Sequence, residues 1–160
     1  MYNNKILMTE EIKITENDLK DIEKKFNIKF PESFINHYLR YNGGRPEKDM
    51  VVDGKGELMP FTYFYAIKSD DGEDGIELKD ILKTNFFDED SIFPKWLVSF
   101  ADDGIGGEYC WSLRKEEYGY IYYIDIESCV GDSIQEINDS AVFLSDSLEE
   151  FINSMVEDED

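Results

Sequence analysis

The sequence has little of the side-chain chemistry that most enzymes use. His37 is the only histidine among 160 residues. A Ser-His-Asp or Cys-His catalytic device would have to use it, and no partner pattern accompanies it. Its position between Asn36 and Tyr38 predicts a partly exposed residue on or near the polar side of a helix. The sequence therefore argues against nucleophilic catalysis and predicts a protein that is not an enzyme.

Cysteine is scarce as well. Cys110 and Cys129 are the only two, and they form neither a CxxC pair nor a zinc-binding spacing. The N-terminus lacks the long apolar segment of a signal peptide, and no apolar run reaches the length of a membrane span. These absences predict a reduced, cytoplasmic protein in which both cysteines are small buried hydrophobic residues.

Positive charge is rare and unevenly placed. The chain has 16 Lys and Arg against 37 Asp and Glu, which gives a net charge of -21. Residues 1–48 carry 9 Lys and Arg against 8 Asp and Glu, and residues 49–160 carry 7 against 29, so the acidity begins after residue 48. Such a charge repels nucleic acid and anionic membranes and attracts cationic protein surfaces. The alternative is a solvated acidic surface with no binding role.

Core-forming residues, in contrast, are plentiful. Hydrophobic residues make up 41% of the chain and aromatic residues 14%. Since a typical domain has about 150 residues, the length predicts one domain over residues 1–160. We place its core at about 11–156 and an acidic C-terminal tail at 157–160. The element order predicts an α+β fold, in which helices pack against a mostly antiparallel central sheet.

Hydrophobic periodicity and turn signals place the individual elements. A helix is predicted from Thr15 to Phe26, and a second begins at Pro31 and ends at the Asn42-Gly43-Gly44 turn. Residues 58–67 form an aromatic-rich segment that predicts a strand buried on both faces or nearly so. The remaining predictions are a short helix at 76–86, strands at 96–101, 108–114, 119–126 and 141–144, and a last helix at about 146–156.

Four blocks of the sequence carry a family resemblance. They are FPESFINHYLRYNGGRP (30–46), LVSFADDGIGGEYCWSL (97–113), GYIYYID (119–125) and VFLSDSLEEFINSM (142–155). In this order and spacing they resemble the SMI1/KNR4 family, also called the SUKH superfamily. Within the blocks, Phe30 stands where the family usually has Leu.

The resemblance implies a function as well as a fold. Bacterial members of this family are mostly immunity proteins of polymorphic toxin systems, which protect the producing cell by binding the toxin domain, often a nuclease. Fungal relatives are interaction scaffolds in cell-wall synthesis, and no enzymatic activity is typical of the family. The resemblance therefore implies an immunity protein, or antitoxin, that neutralises a basic toxin domain without a cofactor. The alternative is a non-enzymatic scaffold or regulatory module that binds another protein.

Two acidic loops are the candidate partner-binding segments. The loop at 69–75, SDDGEDG, fails as an EF-hand because Gly72 occupies a ligand position. The loop at 102–108, DDGIGGE, is rich in glycine but lacks the GK[ST] ending of a phosphate loop. No metal site is predicted, and a metal-dependent hydrolase is kept only as a third hypothesis. The residues expected to contact the partner are Asp70, Asp71, Glu73, Asp74, Asp102, Asp103 and Glu108.

Tyrosines on the strand at 119–126 form a second candidate surface. Strand alternation sends Tyr120, Tyr122 and Ile124 to one face and Ile121 and Tyr123 to the other. One face is expected to pack on helices. If the other face is exposed, its tyrosines are suited to anchoring a partner, because binding hot spots favour Tyr and Trp. The sequence leaves the oligomeric state open.

Overall fold

The computed structural model of the chain describes residues 2–8, 12–69, 76–126 and 134–158. Within these ranges the chain forms five α-helices and eight β-strands. The helices are α1 (Glu16–Phe26), α2 (Glu32–Tyr41), α3 (Leu78–Leu82), α4 (Ile134–Asp139) and α5 (Leu148–Asn153). The strands are β1 (Ile6–Leu7), β2 (Arg45–Pro46), β3 (Met50–Val52), β4 (Leu58–Pro60), β5 (Leu97–Asp102), β6 (Gly107–Ser112), β7 (Ile121–Asp125) and β8 (Val142–Ser145).

The centre of the fold is a four-stranded antiparallel sheet with the order β5-β6-β7-β8. Two short antiparallel pairs, β1 with β2 and β3 with β4, lie outside this sheet. The predicted α+β architecture, with helices against antiparallel sheet, is therefore confirmed. The predicted bounds of the single domain and of its acidic tail remain predictions.

The first two helices follow from local sequence signals. The Thr15 side chain accepts a hydrogen bond from the Asp18 backbone, and the Asp18 carboxylate accepts one from the Thr15 backbone. This reciprocal capping box fixes the start of α1. The second helix ends at Asn42, whose φ of 47° is in the left-handed region that terminates helices. Both helices thus lie where their caps and apolar spacing predict them.

A large aromatic core joins the helices to one face of the sheet. The Phe34 ring of α2 lies 4.5 Å from the Trp111 ring of β6, and the Phe100 ring of β5 lies 6.2 Å from the Phe151 ring of α5. A smaller core on the opposite face contains Leu97, Cys110, Tyr122, Ile124, Phe93 and Ile137. The central strands are therefore covered on both faces. Burial of Cys110 agrees with its predicted hydrophobic role, and Cys129 lies outside the described residues.

The tyrosine alternation along β7 is also confirmed. Ile121 and Tyr123 belong to the large core, whereas Tyr122 belongs to the smaller core and Tyr120 packs against it. The two faces differ in their coverage, because α1, α2, α3 and α5 all contribute to the large core and only α4 contributes to the smaller one.

The predicted strand at 58–67 is wrong in its extent. Regular pairing stops at Pro60, which has no backbone N–H to donate, and single bridges then join Phe64 to Ala101 and Ala66 to Glu77. The backbone of residues 61–67 instead makes isolated hydrogen bonds, such as the one that the Tyr65 N–H donates to the Phe100 carbonyl at 2.8 Å. An extended segment that packs between elements takes the place of the expected strand.

The later helices are shorter than expected. The helix predicted at 76–86 consists of α3 followed by a π-helical turn over Lys83–Phe87. The last helix begins after its Ser147 cap and ends at Asn153. Sequence patterns missed α4 and the short strands β1, β2 and β3. None of the helices in the described ranges has the length and hydropathy that a membrane-spanning segment requires.

Candidate protein-binding site

The seven acids expected to contact a partner fall into two groups. Asp70, Asp71, Glu73 and Asp74 lie outside the described residues. The other three meet at the turn between β5 and β6, where Asp102 ends β5, Asp103 enters the turn and Glu108 lies near the start of β6. The pairing of Asp102 with Glu108 brings these acids to one end of the sheet.

Asp103 is an internal residue of this turn. It is only 3% exposed. Its Oδ1 atom accepts hydrogen bonds from the backbone N–H groups of Ile105 and Gly107, each at 2.9 Å. Its Oδ2 atom accepts one from the Tyr123 hydroxyl at 2.6 Å. The carboxylate is therefore used to shape the turn and to tie it to β7, and a partner cannot reach it while the turn stays closed.

Gly107 is required by this arrangement. A Cβ atom at Gly107 would lie 2.1 Å from the Tyr123 hydroxyl and 2.5 Å from Asp103 Oδ2. Both distances are far below contact distance, so only glycine lets the hydrogen bond between these two side chains form. Gly107 of the DDGIGGE segment thus serves close packing.

We expect Gly107→Ala to lower the free energy of unfolding by about 2 kcal/mol, measured by urea denaturation. Tyr123 is only partly buried, so its ring can move away from the new methyl group. The main loss is then its hydrogen bond to the buried carboxylate. Gly54→Ala is the control, because its Cβ would meet nothing within 4 Å. A similar loss in both variants would contradict this role of Gly107.

Asp102 and Glu108 share one hydroxyl proton. The Tyr65 hydroxyl lies 3.2 Å from Asp102 Oδ2 and 3.2 Å from Glu108 Oε1, and it can donate to one carboxylate at a time. Glu108 Oε1 also accepts from the Ser99 hydroxyl at 2.8 Å, and Asp102 Oδ1 accepts from the Thr62 hydroxyl at 2.9 Å. Burial, followed by the nearby charge of Asp102, raises the pKa of Glu108.

These hydrogen bonds join the turn to the extended segment that follows β4. Asp102 and Glu108 are partly buried, and part of their capacity to accept hydrogen bonds is already used inside the protein. The described residues contain no group of three or more His, Cys, Asp and Glu side chains arranged to hold a metal ion. The hydrogen bonds of Asp102 and Glu108 therefore make the turn a rigid acidic corner of the sheet.

The prediction that His37 is partly exposed on the polar side of its helix is wrong. It is 2% exposed, because the N-terminal segment covers this part of α2 and the Phe64 ring packs 4.0 Å from the imidazole ring. A carbonyl oxygen can only accept, so the 2.7 Å contact with the Gly43 carbonyl places the imidazole hydrogen on Nε2. Nδ1 then accepts from the Tyr2 hydroxyl at 3.0 Å. Both ring nitrogens are occupied, and burial lowers the pKa of His37 to about 4.

A strongly acidic C-terminal part was missed as a separate feature. Residues 116–160 contain 14 Asp and Glu and no Lys, Arg or His. Two-thirds of the net charge of -21 thus belongs to 45 residues. This part includes β7, α4, β8 and α5. Its exposed acidic side chains on and around the last three of these elements are Glu136, Asp139, Asp146, Glu149 and Glu150. The absence of cations after Lys115 was the sequence signal that could have located it.

Comparison with known proteins confirms the resemblance that the four sequence blocks indicate. No curated protein matches the chain significantly. The model of the SMI1 / KNR4 family (SUKH-1), however, matches residues 13–154. This match spans α1 to α5 and includes all four strands of the central sheet. The chain therefore belongs to the SMI1/KNR4 family (SUKH-1).

Proposed function

We propose that this protein is an immunity protein that binds a basic toxin domain and occludes its active site. We further propose that this toxin domain is a nuclease. The proposal rests on residues 116–160, which contain 14 Asp and Glu and no Lys, Arg or His. It also rests on membership of the SMI1/KNR4 family, whose bacterial members mostly bind toxins. A nuclease active site must attract phosphate and is therefore basic. An acidic protein of suitable shape can occupy the same site.

Electrostatics would act mainly on the rate of association. Opposite charges steer two proteins together, and at low salt such rates approach about 10⁸–10⁹ M⁻¹s⁻¹. Rapid capture suits an immunity protein, since the toxin must be neutralised before it acts on the producing cell. Outside residues 116–160, the rigid acidic corner at Asp102 and Glu108 adds two acids in fixed positions, because internal hydrogen bonds hold both side chains.

The test uses the toxin domain encoded by the adjacent gene. We expect it to copurify with this protein, and we expect growth of cells that express the toxin to be restored by coexpression of this protein. Copurification of a non-toxin protein without growth rescue would instead support the scaffold alternative. If the neighbouring gene encodes no toxin and no basic protein copurifies, the proposal is wrong.

Charge reversal tests the acidic loop at 69–75. The triple variant Asp70→Lys, Asp71→Lys and Asp74→Lys is expected to weaken toxin binding, mostly through slower association that depends less on salt. Its thermal unfolding should stay close to that of the wild type. The control reverses three exposed acids elsewhere, Asp21, Glu47 and Glu57, and changes the net charge equally. Equal effects of the two triple variants would mean that net charge matters and this loop does not.

A further inference from the structure

The outer edge of the central sheet has an exposed strand. β8 pairs with β7 on one side, and no strand or bridge in the described ranges pairs with its other side. An edge strand presents backbone N–H and C=O groups that can pair with an extended segment of another chain. Natural proteins protect such an edge with Lys, Pro, a bulge, a very short strand or a covering element; β8 is four residues long and has a register irregularity opposite Ile121 and Tyr122. The sequence of β8, Val142–Ser145, contains neither Lys nor Pro.

The same strand exposes large apolar side chains. Val142 is 44% exposed and Phe143 is 49% exposed. The Phe143 ring lies 5.5 Å from the Tyr120 ring and 5.8 Å from the Tyr122 ring. Tyr122 in turn contacts Trp96 at 5.1 Å. A row of aromatic rings therefore runs from the smaller core to the solvent at this edge, and its buried members hold Phe143 in place.

Acidic side chains surround this apolar edge. Asp139 precedes β8 and Asp146 follows it directly, and both are exposed. The close approach of the Asp146 carboxylate raises the pKa of Glu150, which lies in the first turn of α5. Two neighbouring carboxylates of like charge are a favourable position for a cation from another molecule. Arg114 contacts the aromatic row, where it stacks on Trp96 at 3.6 Å, and it pairs with Glu117.

The edge thus combines three features of a binding site. It offers a strand edge that no described strand pairs with, an aromatic anchor and an acidic border, and interfaces typically place an apolar centre inside a polar rim. We propose that the basic partner adds an extended segment to β8, with an apolar side chain on Phe143 and a Lys or Arg on Asp146 and Glu150. This inference rests on the proposed function, since it names the surface on which the toxin domain docks.

Charge decides between a basic partner and a second copy of this chain. A second copy would bring the same acidic border against the first, across an interface of a protein whose net charge is -21. Repulsion between like charges opposes that assembly, whereas a basic segment is attracted. We therefore commit to a basic partner of different sequence.

The first experiment compares Phe143→Ser with the wild type in binding the catalytically inactivated toxin domain of the adjacent gene. We expect Kd to rise about 30-fold, as for the loss of an aromatic hot spot. The matched control is Phe87→Ser, because Phe87 is 55% exposed on the π-helical turn, away from β8. Equal affinities of the two variants would overturn the docking site and leave the immunity function intact.

The second experiment does not depend on the toxin. A synthetic peptide of about ten alternating Lys and Val residues is added to isotopically labelled protein, and backbone amide shifts are recorded by NMR. We expect the largest shifts at 142–146, with their loss in Phe143→Ser and their persistence in Phe87→Ser. Absence of shifts at β8 would overturn the inference even if the toxin binds. A dimer that Phe143→Ser dissociates would likewise overturn it, because a second copy would then occupy the edge.

Discussion

Replacing Asp103 with alanine should lower the free energy of unfolding by about 4 kcal/mol. The substitution leaves the backbone N–H groups of Ile105 and Gly107 and the Tyr123 hydroxyl without their shared acceptor. Each unsatisfied polar group in a buried place costs about 1–3 kcal/mol, and entering water recovers part of this loss. Urea denaturation at neutral pH measures the change.

The matched control is Asp53→Ala. Asp53 Oδ1 accepts from the backbone N–H groups of Lys55 and Glu57 in the same local geometry, but in a solvent-exposed turn. Water can replace an acceptor there, so we expect a loss of about 1 kcal/mol. If Asp103→Ala costs no more than the control, the internal role of this carboxylate is wrong. If Asp103→Ala does cost more than the control, its affinity for the toxin must be measured under conditions in which the variant is fully folded. A loss of binding then does not merely reflect unfolding.

The second large effect is a dependence of stability on pH that arises from His37. Its folded-state pKa of about 4 lies below the value of about 6.5 for an unfolded chain. Between these pH values the unfolded chain binds the proton and the folded protein does not. The contribution is therefore fully present above about pH 6.5 and is lost as pH falls to about 4, by about 3 kcal/mol in total.

Many carboxylates titrate in the same range, so the measurement needs a variant without the imidazole. His37→Gln removes the titrating group and keeps a polar side chain of similar size. We expect it to be less stable than the wild type at pH 7, since the hydrogen bonds to Tyr2 and Gly43 are disturbed. The difference between the two proteins should shrink as pH falls towards 4. A constant difference would show that His37 stays protonated or exposed in the folded protein.

Local signals predicted the parts of the fold that depend on neighbours in sequence. The capping box at Thr15 and the left-handed Asn42 fix helix ends through contacts a few residues apart, and both ends lie where the sequence places them. Alternation along β7 was predictable for the same reason, since side chains of a strand point in turn to opposite faces. The four sequence blocks added the family resemblance, which the match over residues 13–154 confirms.

Predictions failed where residues distant in sequence determine the pairing or the burial of a segment. The aromatic segment after Pro60 has the composition of a strand, yet its backbone makes only isolated contacts, to Gly44 and to β5 at Phe100, without continuous strand pairing. His37 has polar neighbours in sequence, but Tyr2, 35 residues away, and Phe64 cover it. The spacing of apolar residues carries no information about such coverage.

The sequence by itself determined that the chain is acidic after residue 48, that it has an α+β fold and that it resembles the SMI1/KNR4 family. It also determined that residues 116–160 lack any cation, which makes this part attractive to a basic surface. Only the tertiary structure decided how individual acids are used. Three hydrogen-bond donors converge on the buried Asp103, whereas Asp146 is exposed at the end of the edge strand β8. The two side chains are identical, and their surroundings determine whether the carboxylate is held inside the fold or left open to solvent.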